Sequence, residues 1–372
     1  MRSEGSPLLA LLAFTQAIAA VRVVIRLART ANGRRIEASD EVSRDSLAVI
    51  VPVLNEVDRL GPCLEGLGAQ PGTVREIIVV DGGSTDGTQA LVEAFAVRDQ
   101  RIRLVDAAPV PAGWNGKAWG LVVGRRHLDP AVRWVLTIDA DVRPAPGLAA
   151  ALLAHARREG VGALSVATAQ ALSGPAEALL HPAMLTTLVY RYGIPGHRVV
   201  ASDAVQANGQ CFLLQTDVLD RAGGFASGRN SVCEDVTLAR SVADAGELVG
   251  FYEAPGLIAA AMYAGWQDAW RNWPRSLPMR DRFAGRGWWV RMVEVTLAQG
   301  LPLPMLAVAG TRRGRAWRLL RLVNLVLLLT RLGTLAGTRR AYLTAPPTYW
   351  LSPLTDPLVV AALWRGALRR RH

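Results

Sequence analysis

The sequence predicts an α/β protein: a mostly parallel central sheet flanked by helices, with membrane-associated helices at the N- and C-terminal ends. Three observations carry this. Between residues 46 and 105, short β-branched apolar runs alternate with helix-length segments, the order from which parallel sheets are built. At 133–144, RWVLTIDADVRP, an apolar run bounded by charges reads as a strand buried inside that sheet. The charge is also unevenly placed. Of 42 basic and 31 acidic residues, 23 and 25 fall within 44–288, while the flanks hold 19 and 6. A near-neutral middle is therefore framed by apolar, arginine-rich ends, which suit an anionic membrane surface. Nucleic acid is the other partner for such charge, and it is disfavoured because the arginines sit among Leu/Val/Ala runs.

Residues 7–28 form an apolar run near the length that spans a bilayer, and no clear small-x-small cleavage site follows it. Arg22, Arg26, Arg29, Arg34 and Arg35 lie towards and beyond its end, so the positive-inside tendency places the following domain in the cytoplasm. Residues 29–45 are polar and read as a linker. SLAVIVPV (46–53) is a strand, and Pro52 with Leu54, Asn55 and Glu56 turns it into a helix over 57–69. Residues 74–80 are a second strand with Asp81 at its carboxyl end. GGSTDGT (82–88) opens a helix capped by Thr85 or Asp86, and 102–105 is a third strand. Pro109 to Leu121 is a tight loop running into a helix, with Lys117 at the helix start. The strand 134–138 follows. Beyond it the patterning predicts helices over 148–158, 175–192 and 217–224, and another from Glu234. It predicts strands within 161–169, 207–214 and 248–258, and a Trp/Arg-rich helical stretch over 263–282. Apolar segments near 288–310, 316–336 and 351–364 are short or interrupted by arginine, so some are expected to lie in the interface and not to span.

Several positions carry chemistry. Asp139 and Asp141 are two apart, so in extended chain both face one site, where hard oxygens can hold Mg²⁺ or Mn²⁺ on a diphosphate. The same pair alone also reads as a solvated strand end. The loop after Asp81 is no dinucleotide fingerprint: it lacks G-x-G-x-x-G, and its acidic residue precedes the glycines. Asp81 there suits hydrogen bonds from a base or ribose. Lys117 is the single lysine among the 42 basic residues. It marks a place where an ammonium is wanted, at a helix start that already favours anions. Glu234 and Asp235 also stand at a helix start, where the dipole favours ionised carboxylates, and read either as a cap or as a catalytic pair. Trp119 reads as packing. His181 and His197 have no ligand partner at metal spacing and read as structural. Cys63, Cys211 and Cys233 show neither metal-ligand spacing nor a disulfide framework, which suits a reducing cytoplasm.

IVPVLNE, VVDGGSTDGT and LTIDADV, in this order and spacing, resemble the family 2 glycosyltransferases of GT-A fold, over about residues 46–280. The resemblance implies a GT-A domain at 46–288, an N-terminal anchor and linker at 1–45, and membrane-associated helices at 289–372. It implies nucleotide-sugar contacts at Pro52, Glu56, Asp81, Lys117 and Asp139, and metal at Asp141 with Asp139. It also implies Asp235 as the base of an inverting transfer with Glu234 in support. Asn208, Gly209 and Gln210 correspond to the acceptor region. Many relatives with membrane-linked acceptors have Gln-x-x-Arg-Trp near 267. Here Gln267 and Arg271 are four apart, and Asn272 separates Arg271 from Trp273. Arg271 and Arg275 are expected at the nucleotide sugar and Trp273 at the acceptor. The Gly-Trp-x-Gly-Lys at 113–117 resembles the branch that glycosylates lipid or isoprenoid acceptors, and WPRSLPMRD followed by LAQGLPLP, with TYWLSPLTDPL, resembles bacterial carotenoid glycosyltransferases. The implied reaction is transfer of a hexose from a UDP-sugar to a hydroxyl of a carotenoid-like isoprenoid lipid at the bacterial inner membrane. Polyprenyl phosphate, a hopanoid or another lipid are the alternative acceptors. A nucleotidyltransferase is the alternative of another class.

Overall fold

The computed structural model describes residues 7–39, 45–70 and 72–368. The basic run 369–372 and part of the expected linker, 40–44, lie outside them. The first four strands are β1 (Leu47–Val53), β2 (Val74–Asp81), β3 (Ile102–Asp106) and β4 (Trp134–Ile138), and all run parallel. They are followed by β5 (Val142–Pro144), β6 (Ala163–Ala167), β7 (Ala169–Gln170), β8 (His197–Val199), β9 (Cys211–Gln215), β10 (Val249–Glu253) and β11 (Ile258–Ala260). One eight-stranded sheet has the order β3-β2-β1-β4-β9-β6-β10-β8, and a small sheet has the order β5-β11-β7. β9 runs antiparallel to both β4 and β6, so the sheet is mixed in its second half. The parallel half keeps the carboxyl ends of β1, β2 and β4 on one edge, and in open α/β sheets ligands bind outside such edges.

The helices are α1 (Pro7–Thr30), α2 (Val57–Gly68), α3 (Thr88–Arg98), α4 (Gly116–Arg126), α5 (Leu148–Glu159), α6 (Pro175–Tyr192), α7 (Thr216–Arg221), α8 (Glu234–Asp244), α9 (Trp266–Ser276), α10 (Arg286–Val295), α11 (Pro302–Gly310), α12 (Arg315–Thr338) and α13 (Asp356–Leu368). α2 and α5 bury Leu60, Leu64, Leu67, Leu152 and Leu153 against one face of the sheet. α4, α7 and α8 bury Leu121, Leu219 and Val242 against the other. A helix can lie this close only where its own side chains are small. On α4 a Cβ at Gly124 would meet Ile50 Cγ2 at 2.6 Å, whereas one at Gly120 would meet Pro52 Cβ at 3.4 Å. Gly124→Ala gains up to about 1 kcal/mol of helix propensity but forces overpacking of about 1–3 kcal/mol. Thermal unfolding of the detergent-solubilised chain is therefore expected to show net destabilisation for Gly124→Ala and little change for Gly120→Ala.

A third apolar cluster joins α1, α6, α9, α10, α12 and α13 through Val23, Met184, Trp273, Met292, Leu327 and Leu363. α1 and the segment 315–341 are each long and apolar enough to cross a membrane. The bent pair 286–300 and 302–310, with an angle of 44° between its halves, makes a third candidate if it is one span. The apolar segment 351–364 is divided between a 3₁₀ stretch and α13 and is not a candidate. Several polar groups between these helices are paired, which offsets the cost of burying them. Gln16 and Asn324 exchange hydrogen bonds of 2.8 and 3.0 Å. Glu294 accepts from Arg22 and, at 2.9 Å, from Arg26. Asp356 accepts from Arg331 at 2.8 Å and from Gln299 at 2.7 Å.

Candidate active site

The parallel strand ends open into a cleft of about 430 Å³, whose walls include Pro52, Glu56, Arg59, Gly82, Lys117, Asp139 and Asp141. β4 delivers Asp139, and the turn into β5 delivers Asp141. The loop before α4 is fixed by Asn115, whose Oδ1 accepts from the backbone N–H of Lys117 at 2.9 Å and of Ala118 at 3.2 Å. This starts the helix and aims Lys117 at β4. Trp119 packs as expected, with its indole N–H donating to Ala107 O at 2.8 Å.

Lys117 is the centre of the charge arrangement. Its Nζ lies 2.6 Å from Asp139 Oδ1, 2.8 Å from Asp139 Oδ2 and 3.2 Å from Glu234 Oε1. Burial opposes the ammonium, but Asp139, Glu234 and Asp235 outweigh it and keep it protonated. Gly209 makes the room: a Cβ there would stand 2.7 Å from Lys117 Nζ and 3.1 Å from Asp235 Oδ2. Its backbone N–H donates to Asp235 Oδ2 at 2.6 Å, and Val236 N–H donates to Oδ1 at 2.8 Å. Burial, then the neighbouring Glu234, pushes the Asp235 carboxyl up to about 7 despite Lys117. Burial pushes Asp139 up to about 6, with Lys117 opposing and Asp141 adding to the rise. Cys233 occupies the cap position of α8, so Asp235 is not its cap.

The two carboxylates of Asp-x-Asp are not equivalent. Both oxygens of Asp139 are held by Lys117, whereas Asp141 is buried with Oδ1 lacking any partner. An unpaired buried carboxylate oxygen in a cleft is what a divalent cation would satisfy, so the residues fit a metal. Among the described residues no group of three or more His, Cys, Asp or Glu converges on one point, so such side chains alone do not complete a cation's ligand shell there. Asp141 Oδ2 instead accepts from Gln210 Nε2 at 3.4 Å. Gln210 Oε1 accepts from Thr168 Oγ1 at 2.5 Å and from Asn208 Nδ2 at 3.1 Å, and Gln170 Nε2 donates to Thr168 Oγ1 at 2.9 Å. This polar ladder leads from the cleft into a second cavity.

The second cavity, about 190 Å³, is walled mostly by apolar side chains, among them Leu185, Leu188, Ile194, Val236, Met262 and Trp273. Asp235, Asn208 and Gln210 stand on its wall, and so do Gly337, Thr338 and Ala341 at the end of the membrane-candidate segment 315–341. Asp235 thus borders both the apolar cavity and the small space it shares with Lys117 and Gly209.

Three of the residues expected at the nucleotide sugar are not among those lining the strand-end cleft. Arg271 and Arg275 are not among the residues of the strand-end cleft: they lie on the exposed side of α9, whose buried side carries Ala269 and Trp273. Helix phase is the reason, since positions two before and two after a buried residue point away from its face. Asp81 lies beside the cleft, between Val80 and Gly82. Its carboxylate already accepts from Gly83 N, Ser84 N, Ser84 Oγ and Gln89 Nε2, the last at 2.6 Å. Burial works against its charge, and the bonds from Ser84 and Gln89 more than offset that and lower its pKa. Arg59, Thr168 and Gln170 were not anticipated. Arg59 pairs with Glu56 at 2.7 Å from one helical turn on, and that spacing was the available signal.

Fold and site together have the architecture of the GT-A class. Residues 48–236, half of the chain, match the family model described as Glycosyl transferase family 2, and the chain belongs to that family. It is 33% identical over 76 residues to succinoglycan biosynthesis protein ExoA of Rhizobium meliloti, covering 18% of this chain and 21% of that protein. It is 31% identical over 100 residues to the uncharacterized glycosyltransferase YibD of Escherichia coli, covering 27% of each. The chain thus spans roughly a quarter of the length of these curated relatives. The solved mannosyltransferase PcManGT from Pyrobaculum calidifontis, in complex with GDP-Man and Mn²⁺, shares the fold over 97% of this chain and 98% of its own. The TM-score of that match is 0.53 and the identity 19%.

Proposed function

We propose that the protein is a membrane-bound inverting glycosyltransferase. It moves a hexose from a UDP-sugar to a hydroxyl of a carotenoid-like isoprenoid lipid, with residues 46–288 catalytic and cytoplasmic and the flanking helices in the bacterial inner membrane. The observation that carries the lipid acceptor is the apolar cavity that meets Asp235 under the end of a membrane-candidate helix. A soluble saccharide would leave such a wall unsatisfied, whereas an isoprenoid chain fills it. The same wall accommodates the chain of a polyprenyl phosphate or a hopanoid. The curated relatives named for succinoglycan align over too little of their length to name an acceptor.

The donor lies in the strand-end cleft, with Pro52 and Glu56 along the nucleotide and Lys117 towards the diphosphate. Asp141, with Asp139 beside it, would hold the divalent ion, Mg²⁺ or Mn²⁺. That ion supplies Lewis-acid stabilisation of the departing diphosphate. Lys117 adds a fixed positive charge at the same place, in a water-poor site where it needs no reorganisation. Asp235 takes the proton of the acceptor hydroxyl as its oxygen attacks the anomeric carbon. Gly209 N–H and Val236 N–H hold the carboxylate still for that transfer. Asn208 and Gln210, braced by Thr168 and Gln170, line the boundary where sugar and acceptor meet.

The pH profile tests the base. Asp235 must be ionised to accept a proton, and its carboxyl is pushed up to about 7. The rate should therefore rise as pH is raised through about 7 and level off above it, falling about tenfold per unit on the acid side. A rate that is flat from pH 5 to 8 contradicts the assignment.

A further inference from the structure

The acceptor cavity contains a histidine with one ring nitrogen that neither the packing nor the transfer step uses. His181, on α6, is 2% exposed and forms part of the cavity wall. Its ring lies against Trp273, with ring centroids 4.3 Å apart. Nδ1 is 3.0 Å from the hydroxyl of Tyr342, and Tyr342 itself is not on the wall. Nε2, on the opposite edge of the ring, is buried with no partner. Among the described residues it is the one buried, unpartnered side-chain atom that belongs to a residue of this wall.

Burial pushes His181 down to about 3, so the ring is neutral and carries one N–H. The tautomer follows from counting partners. If Nδ1–H donated to Tyr342, both the tyrosine proton and the Nε2 lone pair would lack a partner. If Tyr342 donates to Nδ1, a single group is left over, the Nε2–H. The second arrangement leaves less unsatisfied in an apolar setting, where each unmade bond is unfavourable. His181, a residue of this wall, therefore keeps one hydrogen-bond donor without a partner, and that donor calls for an oxygen.

We propose that His181 is a specificity-determining residue, whose Nε2–H donates to a second oxygen of the acceptor, distinct from the hydroxyl that Asp235 deprotonates. This rests on the lipid-acceptor reading and narrows it: the acceptor is an apolar chain with at least two oxygen functions. A site built around a buried polar group discriminates strongly against an analogue that cannot pair with it.

The test uses the full chain in detergent and equilibrium binding of radiolabelled hexadecanol and hexadecanediols. The second hydroxyl of the diols is placed at carbon 6, 9, 12 or 16. Wild type is expected to bind one of the diols at least tenfold more tightly than the mono-alcohol. In His181→Phe, which keeps the ring against Trp273 and removes the N–H, that preference should vanish through weaker diol binding. Binding of the mono-alcohol should stay within about threefold. His181→Gln, which restores an N–H, should recover part of the preference. The inference is overturned if wild type binds all the probes alike, or if His181→Phe keeps the preference or weakens both classes equally, as a purely structural histidine would. Binding of the alcohols without discrimination sinks only the role of His181. No binding of any probe sinks the lipid cavity as well.

Discussion

Asp235→Asn is expected to lower kcat by about 10²–10⁴-fold while leaving affinity for the nucleotide sugar nearly unchanged. The acceptor hydroxyl is a poor nucleophile, and its proton must leave as the glycosidic bond forms. The Asp235 carboxylate borders the apolar cavity and is held by two backbone N–H groups. An amide keeps the shape but cannot take the proton, and its NH₂ would face one of those two donors. A modest loss of stability, about 1 kcal/mol, should therefore accompany the loss of rate. Steady-state kinetics with saturating donor and lipid, beside nucleotide binding by calorimetry, separates the two effects. Full activity in the variant would shift the role of base to Glu234, which stands against Lys117 at 3.2 Å.

Asp141→Asn is expected to nearly abolish transfer, on the order of 10²–10³-fold, or about 3–4 kcal/mol of transition-state stabilisation. Asp141 is the member of the acidic pair with an unpartnered oxygen, so it is the one able to give a cation a hard anionic ligand. The amide removes that charge at a strand end where the backbone is not disturbed, so the unfolding temperature should change little. Titration of activity with Mn²⁺ in wild type and variant reads the effect, and wild-type turnover undiminished by EDTA would contradict it.

The parallel half of the fold was legible because each strand is a short β-branched run punctuated by a turn with its own chemistry. SLAVIVPV and the run before Asp139 fell in place as β1 and β4. β5, β7, β8 and β11 were not legible as elements, since two- and three-residue strands leave no period to detect. The antiparallel insertion of β9 between β4 and β6 is likewise a tertiary outcome. At the site, Asp139, Asp141, Lys117, Glu234 and Asp235 were readable from residue type and position, and the structure gathers them. What the sequence could not separate was the two aspartates, because which one Lys117 occupies depends on the approach of α4. The outward position of Arg271 and Arg275 was hidden for a related reason: composition marked the stretch 263–282 as rich in Trp and Arg, but the phase of α9 decides which side chains turn inward. His181 looked inert in sequence because the features that distinguish it are a missing partner and a cavity, and neither is written locally.

The central claim is that sugar passes from a nucleotide to a lipid hydroxyl in the cavity beside Asp235. The most direct measurement reconstitutes the full chain in vesicles containing an isoprenoid alcohol, adds a divalent metal and UDP-[¹⁴C]hexose, and partitions the products between organic and aqueous phases. The expected result is label in the organic phase, in the wild type but not in Asp235→Asn, with UDP released in equal amount. Label confined to soluble saccharide acceptors, or release of pyrophosphate in place of UDP, would contradict it.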